Sequence, residues 1–241
     1  MSSIKKYEEI IKSILVKKHS VIVRKENWIK QNSLISRLTK KNNFPNNNND
    51  LLDILQSIFK NAQNGQIEIS REDIFKEEDL EKKLIMVLLW GYPTGGRGNN
   101  IANILNERDI LIQNLKCIQK KNITQEEYKK LYYSGEKVKL KKLGLSTMSK
   151  ILYFFEVKID KTPCLIFDTQ ILLSLQKNNI DEFKNVDWEQ TDEKYFEYLE
   201  ILNRIPKEIL NNSAIKPEAI ELFLFHYNMH FKLKNYTEKN K

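Results

Sequence analysis

Asp168 stands where a carboxylate can do chemistry. It follows the apolar run Pro163-Cys164-Leu165-Ile166-Phe167 and opens the helical pattern Thr169-Gln170-Ile171-Leu172. A carboxylate at that point caps the helix. Capping leaves it available to stabilise positive charge or to activate a nucleophile. Upstream, Lys139, Lys141 and Lys142 lead into Leu143-Gly144-Leu145-Ser146-Thr147, an apolar-Gly-apolar-Ser turn before another helix. Gly144 lets the turn approach a neighbour closely or adopt positive φ. Backbone N–H groups of Leu145, Ser146 and Thr147 at the helix start form a seat for a phosphate oxygen, which Lys142 and its neighbours strengthen. Contacts of this kind give affinity without sequence preference.

A second segment, Leu84 to Leu105, joins an apolar helix to a Gly/Pro-rich turn and a new helix start. Of the seven glycines, four fall within 91–98, where the chain must turn tightly. Arg97, flanked by glycines, can reach an anionic partner, and Asn99 and Asn100 can hydrogen-bond such a partner or the next helix. The plainer reading is a helix–helix connection with Trp90 and Tyr92 as core aromatics. A P-loop is excluded, because no Gly-Lys-Ser/Thr follows and no strand precedes. His226 and His230 have metal-capable i, i+4 spacing but no accompanying glutamate or nearby cysteine, so no metal is expected. The same helix carries Phe223, Phe225 and Tyr227.

The elements that hold these residues read as helices. Ile4, Tyr7, Ile10, Ile11 and Ile14 follow the i, i+3, i+4, i+7 rule, as do Leu51, Leu52, Leu55 and Phe59. Residues 40–50 are an Asn-rich surface loop, with Asp50 capping the next helix. The alternating QIEIS (66–70) predicts a short strand or extended connector. A long helix is expected from Lys76 to Trp90. Others follow at 99–106, 108–120, 124–133, 147–157, 169–177, 190–204 and 216–234, with Asp109, Thr124, Ser146 or Thr147, Asp168 and Thr191 as caps. The fold class is all-α. Cys117 and Cys164 are too few for a disulfide framework and read as reduced packing residues of a cytosolic protein. No run approaches a membrane span. The net charge of +8 favours a polyanionic partner.

Two motifs together carry a resemblance. Leu143-Gly144-Leu145-Ser146 is similar to the Leu-Pro-Gly-Val-Gly hairpin of the helix-hairpin-helix DNA glycosylase superfamily, which includes endonuclease III. Phe167-Asp168-Thr169-Gln170 resembles its Val-Asp-Thr-His segment, which carries the catalytic aspartate. The hairpin's second glycine is Ser146 here. Leu88-Leu89-Trp90-Gly91-Tyr92-Pro93-Thr94 resembles the turn whose tip fills the gap left by an extruded nucleotide, with Tyr92 at the wedge position. In length and hairpin variation the chain is most similar to the prokaryotic 8-oxoguanine DNA glycosylase-like proteins.

The resemblance spans 84–177 and implies one glycosylase-like unit over 1–241. It implies two helical lobes, with duplex DNA in the cleft between them. It also implies a monomer that flips a damaged or modified base from the duplex, hydrolyses its N-glycosidic bond and needs no cofactor. Its setting is the cytoplasm, at the nucleoid, in base-excision repair or in defence against phage with modified bases. Trp90, Gly91 and Phe225 are the candidate lining of the base pocket. Asp168 stabilises the oxocarbenium-like transition state of N-glycosidic cleavage. Bifunctional members also carry a Schiff-base lysine just under twenty residues before the aspartate. Counting back from Asp168 reaches Lys150, whereas counting forward from Gly144 reaches Met148. These positions lie about 200° apart around a helix, so only one can serve, and strand cleavage stays open at this level. The competing classes are a DNA-binding module without chemistry and a protein scaffold whose basic surface aids solubility.

Overall fold

The computed structural model describes residues 3–29, 48–95, 100–134, 137–138, 143–177 and 180–228. Arg97, Asn99, Lys142, His230 and most of the Asn-rich loop lie outside the described residues. In chain order the elements are α1 Glu8–Ser13, β1 Ser20–Arg24, α2 Glu26–Ile29, α3 Asn48–Ile58, β2 Gln66–Ser70 and α4 Arg71–Lys76. Then come α5 Leu80–Gly91, α6 Asn100–Asn106, α7 Arg108–Ile118, β3 Asn122–Ile123, α8 Gln125–Tyr132, β4 Tyr133–Ser134 and β5 Lys137–Val138. Last are α9 Leu145–Phe154, β6 Lys158–Ile159, β7 Thr162–Pro163, α10 Thr169–Gln176, α11 Asp192–Glu208 and α12 Pro217–Asn228. The chain is mainly α, as its periodicity predicts, but not all-α. The predicted strand at 66–70 forms and pairs antiparallel with Ser20–Arg24, from Ser20↔Ser70 to Arg24↔Gln66. Among the described residues no helix is long and apolar enough to cross a membrane.

Two compact units can be distinguished, one of residues 17–161 and one of residues 1–16 with 162–241. The first is organised around α5. Its run Lys83 to Trp90 is buried on every side, as expected of a helix that is apolar all round. It packs against α9, α4, α7, α3 and the β1–β2 pair. Val23 and Ile69 point inward from that pair, while Ile22 is exposed. β2 is entered through Asn64 and Gly65, both at positive φ, with Gln63 and Gln66 exchanging backbone hydrogen bonds across the turn. β3 and β6 form a short parallel pair in the same unit.

The helix expected from Lys76 to Trp90 is broken. Lys76 ends α4, and a new helix begins at Leu80 because the Asp79 side chain accepts from the N–H of Lys82 at 2.8 Å. The capping signal overrides continuous helical propensity. α4 has its own box, with Ser70 and Asp73 capping each other's backbone. Asp50 and Asp109 lie inside the first turns of α3 and α7 rather than at their caps. Thr124 and Thr191 do cap, accepting from Glu127 and Lys194. Cys117 is exposed, contrary to its expected packing role, and Cys164 is buried.

In the second unit, α12 packs on α10, α11 and α1. Ile171 and Leu175 of α10 are buried, as are Ile220, Phe223 and Leu224 of α12. Tyr7 closes over Phe223 with ring centroids 4.9 Å apart. The Ser174 hydroxyl donates to the Leu224 carbonyl, joining α10 to α12.

Candidate active site

In the unit of residues 17–161, the end of α5 meets the start of α9. α5 runs through Gly91, and Tyr92 closes it by donating its N–H to Leu88 O at 2.9 Å. The turn returns through Gly95, at φ +84°, where a Cβ would lie 2.9 Å from the Asn27 carbonyl oxygen. Only glycine fits both the dihedral and that approach. Asn27 also donates through Nδ2 to the Pro93 carbonyl at 3.3 Å, pinning the turn to α2.

Two side chains of α9 reach this turn. The hydroxyls of Tyr92 and Thr147 share a hydrogen bond. On the neighbouring face the Lys150 stem lies across Gly91, where a methyl group would sit 3.1 Å from Cδ and 3.6 Å from Cε. Lys150 is only 6 % exposed. Its Nζ donates back along the helix to the Ser146 carbonyl at 3.2 Å and the Ser146 hydroxyl at 3.1 Å. Helical side chains lean toward the N-terminus, so position i−4 lies within their reach. Met148 is also buried, as an apolar packing residue. The amine beside the glycine turn is therefore that of Lys150.

α9 begins at Leu145, ahead of the expected Ser146 or Thr147 cap. The Gly144 carbonyl already accepts from both Thr147 and Met148. The N–H groups of Leu145 and Ser146 thus lie before the first intrahelical bond, as at any helix start. Gly144 itself departs from expectation. Its φ is −77°, and a Cβ there would meet nothing within 4 Å. Among the described residues, neither positive φ nor crowding requires glycine at this position.

Trp90 lies in the packed core. It is 5 % exposed, with its ring edge-on to His19 at 5.3 Å and to Phe154 at 5.4 Å. The Arg71 guanidinium sits 5.4 Å from its ring and 5.1 Å from that of Tyr153, whose hydroxyl accepts from Arg71 at 3.1 Å. Arg71 is 1 % exposed and did not stand out in the sequence. The plain reading of Trp90 as a core aromatic fits this geometry.

Asp168 and Phe225 belong to the other unit. Asp168 is the N-cap of α10, its Oδ1 accepting from Gln170 at 3.0 Å and Ile171 at 3.2 Å. The run that delivers it, Cys164 to Phe167, is buried throughout. Tyr195 and Tyr198 of α11 donate their hydroxyls to the carbonyls of Leu165 and Ile166, at 3.0 and 2.9 Å. Phe167 lies against both rings, at 5.9 and 4.9 Å. Asp168 is thus held by its own cap on one side and by a tyrosine pair on the other. The tyrosines went unnoticed in the sequence; their one signal is i, i+3 spacing on an amphipathic helix. Burial pushes the Cys164 thiol up to about 12, partly opposed by a hydrogen bond with Tyr195. Phe225 is half-buried on α12, edge-on to His226 at 5.4 Å.

Residues 15–225 match the model of a family described as "Putative 8-oxoguanine DNA glycosylase OGG-like protein". No curated protein and no solved structure matches the chain. The match covers the α5–α9 junction and the Asp168 cap alike, and the chain belongs to this OGG-like family.

Proposed function

We propose that the chain is a DNA glycosylase that extrudes a damaged or modified base from duplex DNA and breaks its N-glycosidic bond. It would act in base-excision repair or in defence against phage with modified bases. The observation that carries this reading is the setting of Lys150. In a chain of the OGG-like family, a nearly buried amine is held on the first turn of α9, beside the glycine turn. In the proposed reaction the Lys150 amine attacks C1′. The base leaves with the electrons of the C1′–N bond and takes up one amine proton. Sugar-ring opening then gives an imine at C1′, and O4′ takes the second amine proton.

Positive charge develops on the deoxyribose as the base departs. Asp168, oriented by two N–H groups of α10, stabilises that charge. Extrusion comes first because the glycosidic bond is inaccessible inside the stack, and Tyr92 fills the gap as a planar wedge. Backbone N–H groups at Leu145 and Ser146, with Gly144, Thr147, Lys142, Arg97 and Asn99, serve the DNA backbone. Residues 84–177 hold the wedge turn, the hairpin and the aspartate of this scheme.

The test is incubation with duplexes carrying oxidised, alkylated or hypermodified bases, with released bases read by mass spectrometry. Asp168→Asn is expected to slow release by about 100- to 1,000-fold while duplex binding is retained. Release that survives this substitution removes Asp168 from the chemistry. Duplex binding without release from any substrate makes the chain a DNA-binding module instead.

A further inference from the structure

We infer that Ser146 is a positioning residue for Lys150, and that Gly91 forms the flat floor on which the lysine stem lies. The inference rests on the reading of Lys150 as the attacking amine. Three observations converge on this lysine. Two oxygens of one residue, the carbonyl and the hydroxyl of Ser146, accept from Nζ at 3.2 and 3.1 Å. The stem crosses Gly91 so closely that even a methyl group would stand 3.1 Å from Cδ, tighter than ordinary contact. Lys150 is nonetheless nearly buried, so its four-carbon stem follows one path instead of sampling solvent.

A lysine ammonium is a compact charge on a flexible stem. Left to itself, such a stem spreads its amine over many positions, and attack on a fixed carbon needs one. Ser146 selects that position, and Gly91 removes the side chain that would lift the stem away from it. The direction of the clamp also matters. It draws Nζ toward the N-terminal end of α9, where the Leu145 and Ser146 N–H groups lie. Ser146 therefore joins the phosphate seat to the amine within a single turn of helix.

The experiment uses the full chain and a duplex with one abasic site, so the identity of the excised base does not enter. The Lys150 amine condenses with the abasic aldehyde, releasing water. Borohydride delivers hydride to the imine carbon, leaving a stable secondary amine. At saturating DNA, where any change in Kd drops out, Ser146→Ala (which keeps the Ser146 N–H) and Gly91→Ala are expected to trap at least about tenfold more slowly. Ser146→Thr, which keeps both acceptor oxygens, restores trapping. A second readout is independent of DNA: acetylation of Lys150 by an amine-reactive ester, followed by peptide mass mapping against exposed Lys158. Ser146→Ala, which removes the hydroxyl acceptor and leaves the carbonyl, is expected to raise Lys150 labelling at least about fivefold.

Unchanged trapping and unchanged labelling in Ser146→Ala overturn the inference while the lysine chemistry stands. Weakened Kd with an unchanged saturating rate also overturns it, making Ser146 a phosphate contact. If the unmodified chain traps nothing, or Lys150→Gln traps as well, the attacking-amine reading fails. Labelling then still decides whether Ser146 holds the lysine.

Discussion

Lys83 and Cys164 show how differently two buried polar side chains shape stability at the scale of single residues. Lys83 is 5 % exposed, its Nζ 3.5 Å from the Phe75 carbonyl oxygen and 5.8 Å from the Phe155 ring centre. Burial holds its pKa below the usual 10.5, with the charge of Glu156 acting the other way. A folded-state pKa below the unfolded one means that protonation opposes folding. The penalty is full at neutral pH and fades as pH rises through the folded and then the unfolded value. Lys83→Met keeps the stem packing and removes the charge. It should raise stability at pH 7 by about 1 kcal/mol, or Tm by about 3 °C, with the gain vanishing near pH 10. Melts across pH would show this. The Cys164 thiol is displaced upward, from 9.0 to about 12, by burial. Its neutral form is favoured in the folded state, so its contribution is complete below pH 9.0 and is lost toward pH 12. A disulfide reagent at pH 8 should therefore titrate exposed Cys117 promptly and Cys164 only after denaturation.

At the scale of elements, the candidate site depends on short segments fixed from both ends. Asp168 is set by a local cap and by hydroxyls that arrive from α11. Tyr198→Phe removes the donor to a buried carbonyl and should cost about 1–3 kcal/mol of stability. Because that carbonyl belongs to Ile166, the substitution should also slow base release more than it weakens duplex binding. Denaturant titration with parallel release and binding assays would check both, and release that falls only with the folded fraction would make the role purely structural. The Asp168 cap was legible because a cap is written within a few consecutive residues. The tyrosines were not legible, since nothing in the sequence links positions 195 and 198 to 165 and 166. Lys150 and Met148 illustrate the same limit. Counting along α9 cannot say which face meets α5, and only packing against Gly91 distinguishes them. The break between α4 and α5 and the pairing of Ser20–Arg24 with Gln66–Ser70 have a common origin, in that apolar pattern alone misses caps and distant partners.

For the whole molecule, charge and fold carry separate messages. The net charge of +8 says nothing about architecture, but it does bear on a polyanionic partner. If the chain engages the DNA backbone as proposed, log affinity for undamaged duplex should fall linearly with log salt. A slope corresponding to about four or more phosphate contacts is expected. A salt-independent affinity would favour a scaffold whose basic surface serves solubility.

Legible in the chain alone were the mainly helical class, a strand or extended connector at 66–70, the cap at Asp168 and the family resemblance. All are encoded in composition, short-range periodicity or contiguous motifs. Only in the folded chain is Trp90 seen enclosed by His19, Phe154 and Arg71, Tyr92 bonded to Thr147, and Lys150 resting on Gly91 with its amine on Ser146. Apart from the turn-long bond between Ser146 and Lys150, these contacts join residues far apart in the chain. They arise from which helix faces meet and how closely, and local pattern does not specify that.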